Sequence, residues 1–202
     1  MISMSVFLSR GRYKWKTLHT TLIRMSSSSQ KQSLLERSNF KYFLPIQSRW
    51  ADNDQYGHVN NIKYYSYFDT VINHYLIKHC KLNTNLKTTD LIGLMVETEC
   101  SFHRPLSFPE VVLSGLSVTK IGNSSVHYKI GLFAETDDSQ RMLSGGSFNE
   151  EDFSSHKREA CAVGKCIHVF VNPKKNNESV PIPNEMRIPL EKLLIDNYVS
   201  KL

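Results

Sequence analysis

The chain has 202 residues, is 40% hydrophobic and carries a formal charge of +6. That length and apolar content fit one domain with a core, plus a tail. The charge sits at the front: residues 1–35 hold Arg10, Arg12, Lys14, Lys16, Arg24 and Lys31 and no Asp or Glu, which leaves 19 basic and 19 acidic residues from Glu36 onward. A neutral body excludes nucleic-acid binding as the meaning of the basic total. No run of 18 apolar residues exists, so no membrane-spanning helix is expected.

The leader is basic, acid-poor and rich in hydroxyls, with Ser26 to Ser29 in a row. This composition is that of a mitochondrial transit peptide, which predicts a matrix location. A basic tail without an address is the alternative. Met25 offers an internal start that would give a cytoplasmic form. The four cysteines, Cys80, Cys100, Cys161 and Cys166, form no CxxC pair and have no histidine at zinc-finger spacing. They read as core thiols in a reducing compartment, with no metal and no cofactor.

Ordered structure is expected from about residue 40 to 195. Residues 43–50 read as a strand with Leu44, Ile46, Ser48 and Trp50 on one face, and Pro45 places it at a sheet edge. Residues 51–60 form an acidic loop. Asn60 or Asn61 then caps a helix from Ile62 to about His79, with Tyr65, Phe68, Ile72, Tyr75 or Leu76, and His79 as its buried stripe. His74 and His79, five apart, should not share a face. Strands follow at 94–103, 110–120, 124–135 and 161–171. Their expected core residues include Val96, Thr98, Cys100 and Phe102, then Val126, Tyr128, Ile130 and Leu132, then Val163, Ile167, Val169 and Val171. Ile121-Gly122-Asn123 marks a turn. A polar insertion spans 136–160, and its composition favours disorder. Pro173, Pro181, Pro183 and Pro189 argue against regular structure over 172–190, with a short helix from Leu190. One helix and a mostly antiparallel sheet make an α+β chain. A single helix covers one face of such a sheet, so a dimer is expected.

The richest stretch is Asp52-Asn53-Asp54-Gln55-Tyr56-Gly57-His58-Val59-Asn60-Asn61, running into the helix. A carboxylate attacks carbonyls or activates water, and a helix N-terminus offers unpaired N–H groups to a developing oxyanion. Together these are two parts of an acyl-transfer site. The same residues also suit turns and caps. Calcium is excluded, because Lys63 stands where a calcium loop needs its bidentate Glu.

This motif resembles that of the hotdog-fold acyl-CoA thioesterases, specifically the 4-hydroxybenzoyl-CoA thioesterase-like branch. Phe102-His103-Arg104-Pro105-Leu106, Ile121-Gly122-Asn123-Ser124-Ser125-Val126 and Val169-Phe170-Val171-Asn172 followed by Val180-Pro181-Ile182-Pro183 resemble later family segments in the same order. The resemblance covers about residues 42–194. It implies a hotdog fold, one long helix wrapped by a curved antiparallel sheet, in a homodimer or homotetramer with sites at the subunit interface. It implies hydrolysis of an acyl-CoA or acyl-carrier-protein thioester, a role in fatty acid metabolism, and no metal. It places the key carboxylate on Asp54 and the carbonyl-polarising amide on Asn61. Some relatives carry His at the latter position. His58, Val59, Asn60, Tyr65 and Ser124 are the expected substrate contacts, and Asp52 is read as structural. Arg104, Lys120 and Lys165 are candidates for the CoA phosphates. Two rivals remain: a hydratase or dehydratase of the same fold, and a non-catalytic acyl-CoA binder or structural subunit.

Overall fold

The computed structural model describes residues 35–134 and 159–195. Nearly all of the leader and of the 136–160 insertion lies outside those residues. The elements run β1 (Tyr42–Gln47), α1 (Asn61–Cys80), β2 (Ile92–Phe102), β3 (Val111–Ile121), β4 (Ser125–Phe133), β5 (Ala162–Asn172), β6 (Glu178–Ser179) and α2 (Asn184–Glu191). The sheet order is β1-β3-β4-β5-β2, antiparallel throughout, with β6 on β5. The curled sheet holds α1 against one face.

The core lies between α1 and that face. It contains Val71, Ile72 and Leu76 from α1, with Leu116, Val118, Ile130, Leu132 and Phe170 from the strands. Gly164 lets α1 come close: a Cβ there would stand 2.5 Å from the Phe68 ring. A smaller cluster of Phe40, Leu113, Phe133 and Ala160 covers part of the other face. β3 is therefore buried on both sides over Val111–Val118, not on one.

Several sequence expectations are corrected. β1 stops at Gln47, and Trp50 is 81% exposed in a short 3-10 turn, because Arg49–Asp52 closes on itself before the strand can continue. Pro45 does lie on an edge strand. The buried stripe of α1 is Tyr64, Tyr67, Phe68, Val71, Ile72, Tyr75, Leu76 and Cys80, so Tyr65 and His79 face outward. The core parity of β5 is the reverse of that expected: Ala162, Gly164, Cys166, His168 and Phe170 point at α1, while Val163, Ile167 and Val169 lie on the other face. Small and polar residues there accommodate the aromatic side chains of the helix. Finally, Pro183 caps α2 and Pro189 sits inside it, near its end. Proline lacks only a donor, and Pro189 leaves its carbonyl free to accept from Tyr75 Oη at 2.8 Å.

β2 is the edge strand on the far side from β1, and its residues Val96 and Phe102, expected in the core, are 59% and 45% exposed. His74 and His79 do meet on one neighbour. Tyr42 Oη lies 2.7 Å from His74 Nδ1, and the His79 ring packs edge-on to the Tyr42 ring at 5.4 Å. Cys80, Cys161 and Cys166 are buried and Cys100 half-buried, all as free thiols. Burial pushes the Cys80 and Cys100 thiols up to about 12, which makes them inert. Among the described residues no helix is long and apolar enough to cross a membrane, and no metal-binding cluster of His, Cys, Asp and Glu exists.

Candidate active site

The site is built from a loop, a helix start and the two tyrosines that tie them together. Asp52 is fully buried beneath the loop. Its carboxylate accepts from Arg49 N at 2.9 Å, Arg49 Nη2 at 2.9 Å and Tyr67 Oη at 3.0 Å, with Lys63 Nζ at 3.7 Å. Burial alone would raise its pKa. The hydrogen bonds from Arg49 and Tyr67 outweigh burial and hold the carboxyl below its ordinary value. An acceptor so fully used anchors the loop to α1, as the reading of Asp52 as structural requires.

Asp54 differs. The chain reverses over Asp54-Gln55-Tyr56-Gly57, with Gly57 N donating to Asp54 O at 3.2 Å and Asp54 N to His58 O at 2.8 Å. Gly57 has φ +79°, a conformation that disfavours any side chain. Asp54 Oδ1 accepts from Tyr56 N at 2.8 Å and, weakly, from His58 N at 3.4 Å. Asp54 Oδ2 has no partner among the described residues. The carboxylate is thus held by one oxygen, on a half-exposed residue, with the other oxygen uncommitted.

Asn60 caps α1: its Oδ1 accepts from Ile62 N at 3.2 Å and its carbonyl from Lys63 N at 2.8 Å. Between them Asn61 N, the first amide of the helix, has no acceptor among the described residues. Only one of the terminal N–H groups is therefore left for a ligand, at the positive end of a 20-residue helix.

The remaining expected contacts scatter. Val59 is 2% exposed in the core and donates its N–H to Leu106 O. The His58 ring is exposed and makes no hydrogen bond, so it is not what orders the loop. Tyr65 lies on the exposed flank of α1, edge-on to Phe68. Ser124 sits in the β3–β4 hairpin, where its carbonyl accepts from Phe170 N at 2.7 Å. Arg104 reaches Glu159, its Nη2 donating to the carbonyl at 2.6 Å. Lys120 and Lys165 instead line a groove of about 350 Å³ on the sheet face away from α1, with Glu97, Glu99 and His127.

Two anchors escaped sequence reasoning. Asn53 clamps the loop from both sides, donating to Gly57 O and accepting from Phe108 N. Tyr64 Oη accepts from Leu106 N at 3.2 Å, tying the 103–110 segment to α1. Both residues were in view, but no spacing rule pairs residue 53 with 108 or 64 with 106.

The curled antiparallel sheet around one long helix is a hotdog fold. The comparisons agree. Residues 48–190 match the thioesterase-like superfamily model, and the chain belongs to that superfamily as a thioester hydrolase. The PA5185 protein of Pseudomonas aeruginosa is 38% identical over 80% of this chain and 96% of its own, with a TM-score of 0.66. At the level of fold alone, the BH1999 gentisyl-coenzyme A thioesterase matches at 19% identity, 74% and 99% coverage and TM-score 0.56. A Thermus thermophilus thioesterase solved with coenzyme A and Zn matches at 19%, 77% and 95%, and 0.55. No curated protein sequence matches.

Proposed function

We propose that the chain hydrolyses acyl-CoA or acyl-carrier-protein thioesters, with Asp54 as the reacting carboxylate and the Asn61 amide as the oxyanion donor. The observation that carries this reading is the unequal use of the Asp54 oxygens, on the loop that runs into an unpaired helix-terminal N–H. On one route Asp54 Oδ2 attacks the thioester carbon, the C–S bond breaks, the thiolate leaves and a mixed anhydride remains, which water opens to the free acid and the Asp54 carboxylate. On the other, Asp54 takes a proton from water and the hydroxide attacks. In both, negative charge grows on the carbonyl oxygen, where the Asn61 N–H and the helix dipole oppose it.

The functional unit in this reading is a homodimer, or a homotetramer built from it, formed through β2. That strand offers an 11-residue edge and carries exposed Val96 and Phe102, with exposed Ile62 on α1. A long edge with exposed apolar side chains is otherwise a site of aggregation. Residues 1–35 direct the chain to the mitochondrial matrix, supported by their composition; a fluorescent fusion of that segment that stays cytoplasmic overturns this part.

The deciding experiment is steady-state hydrolysis of short, long and aromatic acyl-CoAs by the wild type and Asp54→Asn. The expected loss of kcat is about 10²–10⁴-fold, with fold and assembly preserved. Equal rates in the two proteins reject Asp54. Acyl-CoA binding without thiol release from the folded wild type would favour the non-catalytic binder.

A further inference from the structure

We infer that Asn53 is a positioning residue for the reaction: it ties the turn that carries Asp54 to the 107–110 segment and so fixes where the Asp54 carboxylate points. This rests on the reading of Asp54 above and adds a residue to it.

Residues 53–59 form a miniature hairpin. Asn53 and Val59 pair as an isolated antiparallel bridge. Asp54 N donates to His58 O and Asn60 N to Asp52 O, both at 2.8 Å, one bond on either side of that pair. The second bond joins the base of the hairpin to the cap residue of α1, directly before the Asn61 amide. Near the tip Asp54 Oδ1 accepts from Tyr56 N, so the carboxylate is fixed to the backbone of the turn and moves with it.

The Asn53 side chain crosses this hairpin and also leaves it. Its Nδ2 donates to Gly57 O at 3.1 Å, and its Oδ1 accepts from Phe108 N at 3.1 Å. Among the described residues no other side chain of 53–59 hydrogen-bonds outside the hairpin. Phe108 N is a firm anchor. Glu110 N donates to Ser107 O at 3.0 Å and Ser107 N to Glu110 Oε2 at 3.1 Å. Ser48 Oγ donates to Glu110 O at 2.6 Å and Gln47 Nε2 to Pro109 O at 2.7 Å, which holds the 107–110 turn to the end of β1.

The two partners of Asn53 make opposite demands, since Gly57 offers a carbonyl and Phe108 an N–H. A carboxamide meets both from one planar group. Aspartate of the same shape would keep the acceptor for Phe108 but turn an oxygen on the Gly57 carbonyl, and alanine supplies neither bond. Attack on a carbonyl needs the reacting atoms aligned, and a displacement of about 1 Å costs on the order of 100-fold in rate.

The test is steady-state acyl-CoA hydrolysis by the full chain as wild type, Asn53→Ala, Asn53→Asp, Asp54→Asn and Gly164→Ala, under conditions where urea curves show each fully folded. Asn53→Ala should lose about 10- to 100-fold in kcat, with KM within about threefold of wild type. Asn53→Asp should lose kcat as well, despite its shape, because it cannot donate to Gly57 O. Gly164→Ala, strained in the core beneath Phe68 and away from the hairpin, should keep the wild-type kcat, which separates positioning from lost stability. An Asn53→Ala kcat within about threefold of wild type overturns the inference, as does a raised KM at unchanged kcat. An equal fall in Gly164→Ala overturns it too. If Asn53→Ala does not fold, Asn53→Asp is read by the same criteria, and if neither folds Asn53 is structural and the inference falls. Wild-type rates in Asp54→Asn remove the reading of Asp54 itself. A dead Asp54→Asn beside a fully active Asn53→Ala removes this inference alone.

Discussion

Two aspartates two residues apart have opposite surroundings, and their environments separate their roles. Asp52 is dry and accepts hydrogen bonds from Arg49, both backbone and side chain, and from Tyr67. Asp54 is half-exposed and keeps one oxygen free. Replacing Asp52 with Asn removes the charge that Arg49 and Lys63 converge on. The expected loss is about 1.5–3 kcal/mol, the worth of a hydrogen bond to a charged group. It should appear in urea unfolding as a lower midpoint with an unchanged slope. Asp54→Asn should leave the stability from the same unfolding curves within about 0.5 kcal/mol of wild type, as surface substitutions do. A reversed order, with Asp54→Asn the more destabilising, would assign the anchoring role to the wrong carboxylate.

Among the elements, α1 carries both the site and the core, and its two ends can be tested apart. Asn60→Ala removes the cap and should cost roughly 1 kcal/mol, with a further fall in kcat because the first turn loosens around Asn61. Gly164→Ala acts at the middle, pushing a methyl into the Phe68 ring, and should cost about 1–3 kcal/mol by overpacking. At the edge, Val96→Lys sets a charge on the exposed face of β2; a homodimer formed there should become monomeric in light scattering, and an unchanged mass would place the interface elsewhere. The cap was narrowed to Asn60 or Asn61, and the helix and the four long strands were legible from periodicity, because those signals are local. The parity of β5 was not. Its apolar residues Val163, Ile167 and Val169 look like a core face, but they lie on the far side, where Val163 packs on the outer cluster, while Gly164 makes room for Phe68 and Cys166 and His168 share its face. Which face of a two-sided strand meets the helix is decided by the partner's bulk. The Asp54 turn was likewise legible as a motif, whereas its clamps, Asn53 to Phe108 and Tyr64 to Leu106, come from segments about 40 to 55 residues apart and depend on the closed fold.

Over the whole molecule, buried titratable groups limit stability from both sides of neutrality. His74, His127 and His168 all have lowered pKa values, in each case chiefly because burial disfavours the charged ring. For His74, Lys78 and His79 add to that, and for His127, Lys120 does; the opposing pull of Glu97 on His127 and Asp69 on His168 does not reverse it. An unfolded histidine binds its proton near pH 6.5, so between there and the lower folded values the unfolded chain holds more protons. Stability from these groups is complete above about pH 6.5 and is lost as pH falls through the folded pKa values. Asp52, also lowered, adds its loss further down, below the ordinary carboxylate range. On the alkaline side the sign reverses. Cys80, Cys100, Tyr75 and Tyr128 have raised values, led by burial, so the folded chain holds their protons longer than the unfolded one. Their contribution is complete below the ordinary thiol and phenol values and is lost as pH rises past them. Unfolding midpoints measured from pH 5 to pH 10 should therefore trace a dome, its alkaline limb made shallower by buried Lys129, whose pKa burial lowers to about 8 and whose contribution grows as pH rises, and its acid shoulder already falling at pH 6. His168→Phe should flatten that shoulder and leave the alkaline limb in place. A midpoint constant between pH 7.5 and pH 5.5 would mean that the three rings reach solvent when they protonate, and that the burial assigned to them is wrong.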